Sequence, residues 1–168
     1  MRSSVYSRRR RSITAAVVAL LTLAGAITST QSAQAAAPQI LTFWNKCVDV
    51  RGGKTDDGTR IDEWTCNGTV SQEFTIVPLG NGYSLIKTYW GKCVDVRGGK
   101  TDDGTRIDEW TCNGTVSQEF TIVPLGNGYS LIKTYWGKCV DVRGGKSDDN
   151  TDIDEWTCNG TVSQEFAL

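Results

Sequence analysis

Histidine is absent from all 168 residues. Without it there is no imidazole metal ligand, no imidazole general base and no Ser-His or Cys-His nucleophile pair, which removes most hydrolase mechanisms. No stretch shows helical periodicity. The longest apolar run, Ile13 to Ile27, covers fifteen residues, short of the roughly 20 that a membrane-spanning helix needs. Acidic residues are missing from the first 35 positions, whereas Arg2, Arg8, Arg9, Arg10 and Arg11 crowd the first eleven.

A basic start, a short apolar run and the small residues Ala33 and Ala35 around Gln34 form the pattern of an export signal. Residues 1–35 are therefore expected to be a signal peptide, cleaved after Ala35. Arg10-Arg11 could serve a twin-arginine signal, although Ser12-Ile13-Thr14 fit that pattern poorly, so the export route stays open. Removing this segment leaves 133 residues, 36–168, with 13 Lys+Arg against 19 Asp+Glu, a net charge of −6. Such a surface repels a phosphate backbone, which excludes nucleic acid as a partner. A secreted, acidic, monomeric domain without membrane insertion is expected.

Residues 47–92 and 93–138 are the same 46-residue string, and a third, incomplete copy starts at Cys139 and differs at Ser147, Asn150 and Asp152. Repeats of this length make solenoids, propeller blades or a threefold closed domain. The third copy lacks the equivalent of Thr75 to Lys92, while Gln39-Ile40-Leu41-Thr42-Phe43-Trp44 before the first copy matches Leu85-Ile86-Lys87-Thr88-Tyr89-Trp90. The N-terminal segment thus supplies the strand the third copy omits. That exchange implies a closed, symmetric structure rather than a capped solenoid.

Within one unit, strand signals fall at Cys47–Val50, Arg60–Thr65, Glu73–Val77 and Tyr83–Thr88. Gly52-Gly53, Asp57-Gly58, Asn67-Gly68 and Pro78 to Gly82 separate them as turns. Four strands per unit make an all-β domain, and the threefold repeat makes it a β-trefoil. Its three near-identical lobes, about 46 residues each, are expected at about 36–82, 83–128 and 129–168. The six cysteines pair symmetrically either within each unit or cyclically between units. The within-unit set, Cys47–Cys66, Cys93–Cys112 and Cys139–Cys158, is taken here. Each such bond would contribute about 3 kcal/mol on the chain-entropy account.

The string Cys47-Val48-Asp49-Val50, the Thr55-Asp56-Asp57-Gly58-Thr59 turn, Trp64 two residues before Cys66, Asn67-Gly68 and Gln72-Glu73-Phe74 recur in order with a 19-residue cysteine spacing. Together they resemble the ricin B-chain-like lectin domain, also classed as family 13 of the carbohydrate-binding modules. Gln72-Glu73-Phe74 is a variant of that family's Gln-any-Trp signature, with Phe in place of Trp. The likeness covers residues 36–168. It implies a β-trefoil with up to three shallow sugar pockets, galactose-type sugars or xylan-like polysaccharide as ligands, and no cofactor.

A pyranose needs an aromatic face beneath its C–H surface and planar groups spaced for neighbouring hydroxyls. From the resemblance, Asp49 accepts from two sugar hydroxyls, Trp64 stacks, and Asn67 with Gln72 completes the hydrogen bonds. The copies are Asp95, Trp110, Asn113 and Gln118, then Asp141, Trp156, Asn159 and Gln164. Structural readings stand beside these: Gln72 as an interior tie, Asp49 as a turn former, Phe74 as core. Two departures matter. Ser71, Ser117 and Ser163 replace a common Asn, which would remove one hydrogen bond to the sugar. Glu63, Glu109 and Glu155 fall on the inward face where the family usually has Leu, so either a Lys or Arg reaches each or the strand is displaced.

Catalysis by Asp56-Asp57 or Asp62-Glu63 is disfavoured, because adjacent carboxylates on a strand face opposite ways. Calcium binding at Lys54 to Asp62 lacks the spacing of an EF-hand loop. The alternative to a lectin is a trefoil scaffold for protein interaction or protease inhibition, although no loop here is unique. Asn67-Gly68-Thr69 and its copies are also formal glycosylation sequons, and a glycan there would cover the pocket.

Overall fold

Val48 and Val50 alternate with Asp49, and Ile61 and Glu63 with Asp62 and Trp64, the period of a strand with one apolar face. In the computed structural model, which describes residues 38–168, these segments form an antiparallel hairpin of β2 (Cys47–Val50) and β3 (Thr59–Trp64). Its register sets Val48 opposite Glu63 and Val50 opposite Ile61 on the inner face, with Cys47 opposite Trp64 and Asp49 opposite Asp62 on the outer. The expected export segment, 1–35, lies outside the described residues.

The short β1 (Leu41–Thr42) before this hairpin and β4 (Phe74–Pro78) after it complete the first lobe, and β4 pairs in a second hairpin with β5 (Ser84–Thr88), which opens the next. The pattern repeats as β6 (Cys93–Val96), β7 (Thr105–Trp110), β8 (Phe120–Pro124) and β9 (Ser130–Thr134). It ends with β10 (Cys139–Val142), β11 (Thr151–Trp156) and β12 (Phe166–Ala167). Among the described residues these twelve strands are joined only by turns and single 3-10 turns, with no α-helix. The fold is a β-trefoil.

Two rings of contacts close it. Strand β1 pairs with β12, Thr42 opposite Phe166, as β5 pairs with β4 through Thr88 and Phe74. The strand missing from the third copy is therefore supplied from the N-terminal side, as its sequence implies. At the other ring β3, β7 and β11 pair with one another, with Thr59 opposite Glu109, Thr105 opposite Glu155 and Thr151 opposite Glu63. These cross-lobe pairs explain why β3 starts at Thr59 rather than Arg60: no local pattern reports the partner.

The core between the rings holds Val48, Val50, Ile61, Phe74 and Ile86 with their copies and Ile40. Each such side chain contributes about 1.5–3 kcal/mol by leaving water. Disulfides Cys47–Cys66, Cys93–Cys112 and Cys139–Cys158 join residues 5.0, 5.1 and 5.0 Å apart at Cα, the within-unit set. Between lobes, Asp57 accepts from the Thr111 amide at 2.8 Å, its hydroxyl at 3.0 Å and the Lys92 ammonium at 2.7 Å. Asp103 and Asp149 repeat the clamp on Lys138 with Thr157 and on Lys46 with Thr65. The ammonium and these donors hold all three carboxyls below the usual range.

Where β3, β7 and β11 meet, each lobe brings Arg51 and Asp62 or their copies, joined side chain to side chain. The first two lobes add Arg60 and Arg106, but the third has Asp152 in that place. Asp152 accepts from Arg51 at 2.7 Å and from Arg60 at 3.0 Å, and it lies 3.3 Å from Arg143. One carboxylate thus relieves a crowd of guanidiniums. Restoring the repeat with D152R is expected to lower stability by about 2 kcal/mol, because it strips three cations of a half-shielded partner and adds a fourth. Urea unfolding at low salt measures it, and an unchanged midpoint would contradict the role given to Asp152.

Candidate functional site

The outer face of the β2–β3 hairpin carries the polar residues. Because opposite residues on a ladder lie within side-chain reach, Asp49 and Trp64 share that face, and the Cys47–Cys66 bond holds Asn67 beside them. Gly52 and Gly53 follow β2 with φ of 66° and 61°, a left-handed pair that turns the chain without placing a side chain over the cavity. The result is a pocket of about 480 Å³ lined by Asp49, both glycines, Trp64, Asn67, Ser71 and Trp90. The second lobe builds one of about 340 Å³ with Asp95, Trp110, Asn113, Ser117 and Trp136. The third, of about 350 Å³, uses Asp141, Trp156, Asn159, Ser163 and Trp44.

A chain of hydrogen bonds lines each wall. The Asn67 Oδ1 accepts from the Thr69 amide at 3.0 Å and hydroxyl at 2.6 Å, which leaves its Nδ2 as the free donor. Thr69 Oγ1 sits 2.8 Å from Ser71 Oγ, and Ser71 donates to Asp49 Oδ2 at 3.1 Å. Two hydroxyl protons serve these three oxygen–oxygen contacts, so the wall is one donor short. Burial pushes the Asp49 carboxyl up, against the nearby Gln72 amide and the hydrogen bond from Ser71, and Asp95 and Asp141 behave alike. A hydroxyl entering the pocket supplies the missing donor. Ser71 is therefore bound into the wall rather than idle, as are Ser117 and Ser163.

The structure brings together three of the four residue types expected at the site. Asp49, Trp64 and Asn67 meet in the first pocket, Asp95, Trp110 and Asn113 in the second, Asp141, Trp156 and Asn159 in the third. Gln72, Gln118 and Gln164 do not join them. Each is wholly buried behind the wall, its Oε1 accepting from the Asn67, Asn113 or Asn159 amide. Its Nε2 donates to the carbonyl of Thr65, Thr111 or Thr157, and Gln118 and Gln164 also donate to Asp95 and Asp141 at 2.8 Å. The glutamines, expected to contact the sugar directly, therefore stand behind the wall, and none of them lines a cavity.

Trp90, Trp136 and Trp44 went unassigned in the sequence. They follow β5, β9 and β1, and their rings pack on the core while an edge closes the pocket. Their signal was present, since Phe43-Trp44 and Tyr89-Trp90 recur in register, but sequence distance hid the link to Asp49. Trp110 and Trp156 are 40% and 41% exposed, as a stacking platform requires, whereas Trp64 is half-buried.

A family model described as ricin-type beta-trefoil lectin domain-like matches residues 42–107 and 80–156. No curated protein sequence matches the chain. Among solved structures, the designed three-fold symmetric protein ThreeFoil superposes with a TM-score of 0.76 at 26% identity, over 77% of this chain and 95% of its own. 1,3Gal43A, an exo-beta-1,3-galactanase from Clostridium thermocellum, gives 0.75 at 31% identity over 77% of this chain, which spans only 29% of the galactanase. The Polyporus squamosus lectin, bound to an epitope written Neu5Aca2-6Galb1-4GlcNAc, shares the fold with a TM-score of 0.65 at 18% identity, over 77% of this chain and 46% of its own.

The remaining paired carboxylates face elsewhere. Asp62 is bonded to Arg51 at 2.6 Å, yet its Oδ1 is buried without a partner and Asp49 lies opposite, so burial first and Asp49 and Asp152 after it push its carboxyl up to about 6. Glu63, Glu109 and Glu155 are wholly buried with both carboxylate oxygens unpartnered. Among the described residues neither expected remedy is found: no cation bonds to them, and their strands keep register. The buried hydroxyls of Thr42, Thr88 and Thr134 are the polar groups nearest in influence, and burial lifts all three glutamates above 4.5. In the folded domain these acids and Asp62 hold protons more tightly than in the unfolded chain. Their contribution to stability is complete below the ordinary carboxyl range and is lost as pH rises through the folded values. Asp57, Asp103 and Asp149 run the opposite way, stabilising above 3.8. Stability is expected to peak within the ordinary carboxyl range, at about pH 4, and to fall toward pH 7, with Asp62 alone costing on the order of 1 kcal/mol between pH 5 and pH 7. Urea midpoints across pH test this, and a joint E63Q, E109Q and E155Q variant should flatten the decline; a midpoint rising toward pH 7 would refute it.

Proposed function

The chain belongs to the ricin-type beta-trefoil lectin domain-like family, and from that premise we propose that it is a secreted, non-catalytic carbohydrate-binding protein with three sugar pockets. The observation that carries the reading is the same constellation built three times: an outward Trp, a carboxylate in a donor-poor wall, and an Asn whose Nδ2 is free. Trp64, Trp110 and Trp156 stack on the sugar, Asp49 and its copies accept from its hydroxyls, and Asn67 and its copies donate. Gln72, Gln118 and Gln164 hold that geometry from behind. Galactose-type sugars and xylan-like polysaccharide are the ligands proposed, the former favoured by the likeness to a galactanase of which this chain matches 29%.

The absence of catalysis is supported by how the carboxylates are used. Asp57 clamps a neighbouring lobe, Asp62 serves Arg51, and Glu63 faces the core, so no pair shares a cleft. Secretion is supported by three disulfides, which persist in oxidising compartments. Among the described residues no helix is long and apolar enough to cross a membrane. Three pockets on one monomer act together on a polymer, where a second contact is intramolecular and weak single-site binding is amplified.

A glycan array, extended with insoluble galactan and xylan, tests the proposal on residues 36–168 beside a W64A, W110A and W156A triple variant. The wild type should be retained and the variant lost. A single substitution should weaken retention by about tenfold, from the loss of one stacking contact and its avidity. Equal retention of both proteins, or of neither when both are folded, would refute it and turn the search to protein partners.

A further inference from the structure

The three pockets are not equivalent: the first alone is lined by Arg51 and by Asn150 of the third lobe. Each lobe packs the turn before its second strand against the Trp of another lobe. Gly58 and Gly104 fill that turn in the first two copies, and a Cβ on them would lie 3.5 Å from the Trp110 ring and 3.6 Å from the Trp156 ring. In the third copy the residue is Asn150, which holds a φ of 67°, a left-handed conformation that Asn tolerates better than other side chains. Its main chain is tied to the first lobe, the amide donating to the Glu63 carbonyl at 3.0 Å and the carbonyl accepting from Arg51 at 2.8 Å.

Gly58 and Gly104 make the same main-chain bonds, to Glu109 at 2.8 Å and Glu155 at 2.9 Å, so it is the Asn150 side chain that sets the third copy apart. Asn150 and Arg51 line the first pocket, whereas Gly58 and Gly104 line neither of the others. The first pocket is larger, about 480 Å³ against 340 and 350 Å³, and it extends across the lobe boundary. Trp64 is more covered than its two copies. Among the described residues no hydrogen bond engages the Asn150 side-chain amide, so both its donor and its acceptor are available to a ligand.

Resting on the lectin reading, we infer that Asn150 is a specificity residue: it makes the first pocket a distinct site that recognises a second sugar ring linked to the one stacked on Trp64. The pockets of the second and third lobes hold a single terminal ring and are indifferent to the next. A planar amide with both functions free suits vicinal hydroxyls on that next ring. The third copy departs from the repeat at few positions, and Asn150 is the one that reaches a pocket.

The test follows the indole N–H signals of Trp64, Trp110 and Trp156 by NMR, assigned with single Trp→Phe variants, in titrations with galactose, β-1,3-galactobiose, xylose and xylobiose. With the favoured disaccharide, Trp64 should saturate about fivefold earlier than the other two, the worth of about one added neutral hydrogen bond. With the matching monosaccharide that lead should vanish. N150G, which relaxes a strained backbone and so keeps the fold, should bring Trp64 into line with the others. G104N, whose new Cβ meets only the Trp156 ring at 3.6 Å, should confer the same preference on the third lobe. Three indoles sharing one disaccharide midpoint, or an N150G protein that keeps the Trp64 lead, would overturn the inference while leaving the lectin reading intact. If no sugar moves any indole, both fall.

Discussion

The pleat of the β2–β3 ladder is the constraint on which the rest depends. With Val48 opposite Glu63 and Asp49 opposite Asp62, one face of the hairpin enters the core while the other sets a carboxylate and a Trp in the pocket wall. A slip of one residue would exchange the faces, turning Asp49 away from its hydrogen-bonded wall into the apolar core and expelling the valines. The disulfide from Cys47 to Cys66 pins the register from its outer edge, and the same bond brings Asn67 to the pocket. Core and site are thus two sides of one decision, taken three times.

Perfect repetition creates its own difficulty, because threefold symmetry sets like charges beside one another wherever strands of the three lobes converge. The meeting of β3, β7 and β11 gathers arginines from every copy, and the domain relieves them by varying a single position, Asp152. The glutamates on the inner face were not varied, and they stand unpartnered in the core as protonatable groups. Asymmetry in this protein is small and local. Asp152 changes the charge at the symmetry centre and Asn150 the lining of one pocket, while the change to Ser147 has no structural explanation.

The fold was legible in the sequence because its signals are local and repeated. Alternating valines, turn dipeptides and the 46-residue period need no knowledge of distant partners. That Asp49, Trp64 and Asn67 lie together was legible for the same reason, since one hairpin and its disulfide carry all three. What escaped depends on contacts across lobes. Asp57 reads as a turn residue until Lys92 and Thr111 are seen around it. Trp90 and Asn150 belong to the first pocket only through closure, and Gln72 is removed from it by a carbonyl and an amide that the side chain must satisfy.

The pairing of β1 with β12 makes the domain a ring whose last joint is held by hydrogen bonds instead of a peptide link. Seen topologically, the break in the chain is a nick that could be moved to the equivalent joint between β4 and β5 or between β8 and β9 without altering any layer of the fold. Connectivity is then the least informative property of this architecture. Moving the nick would change which lobe is assembled from two distant pieces of chain, while the three cavities kept their linings and their order around the ring.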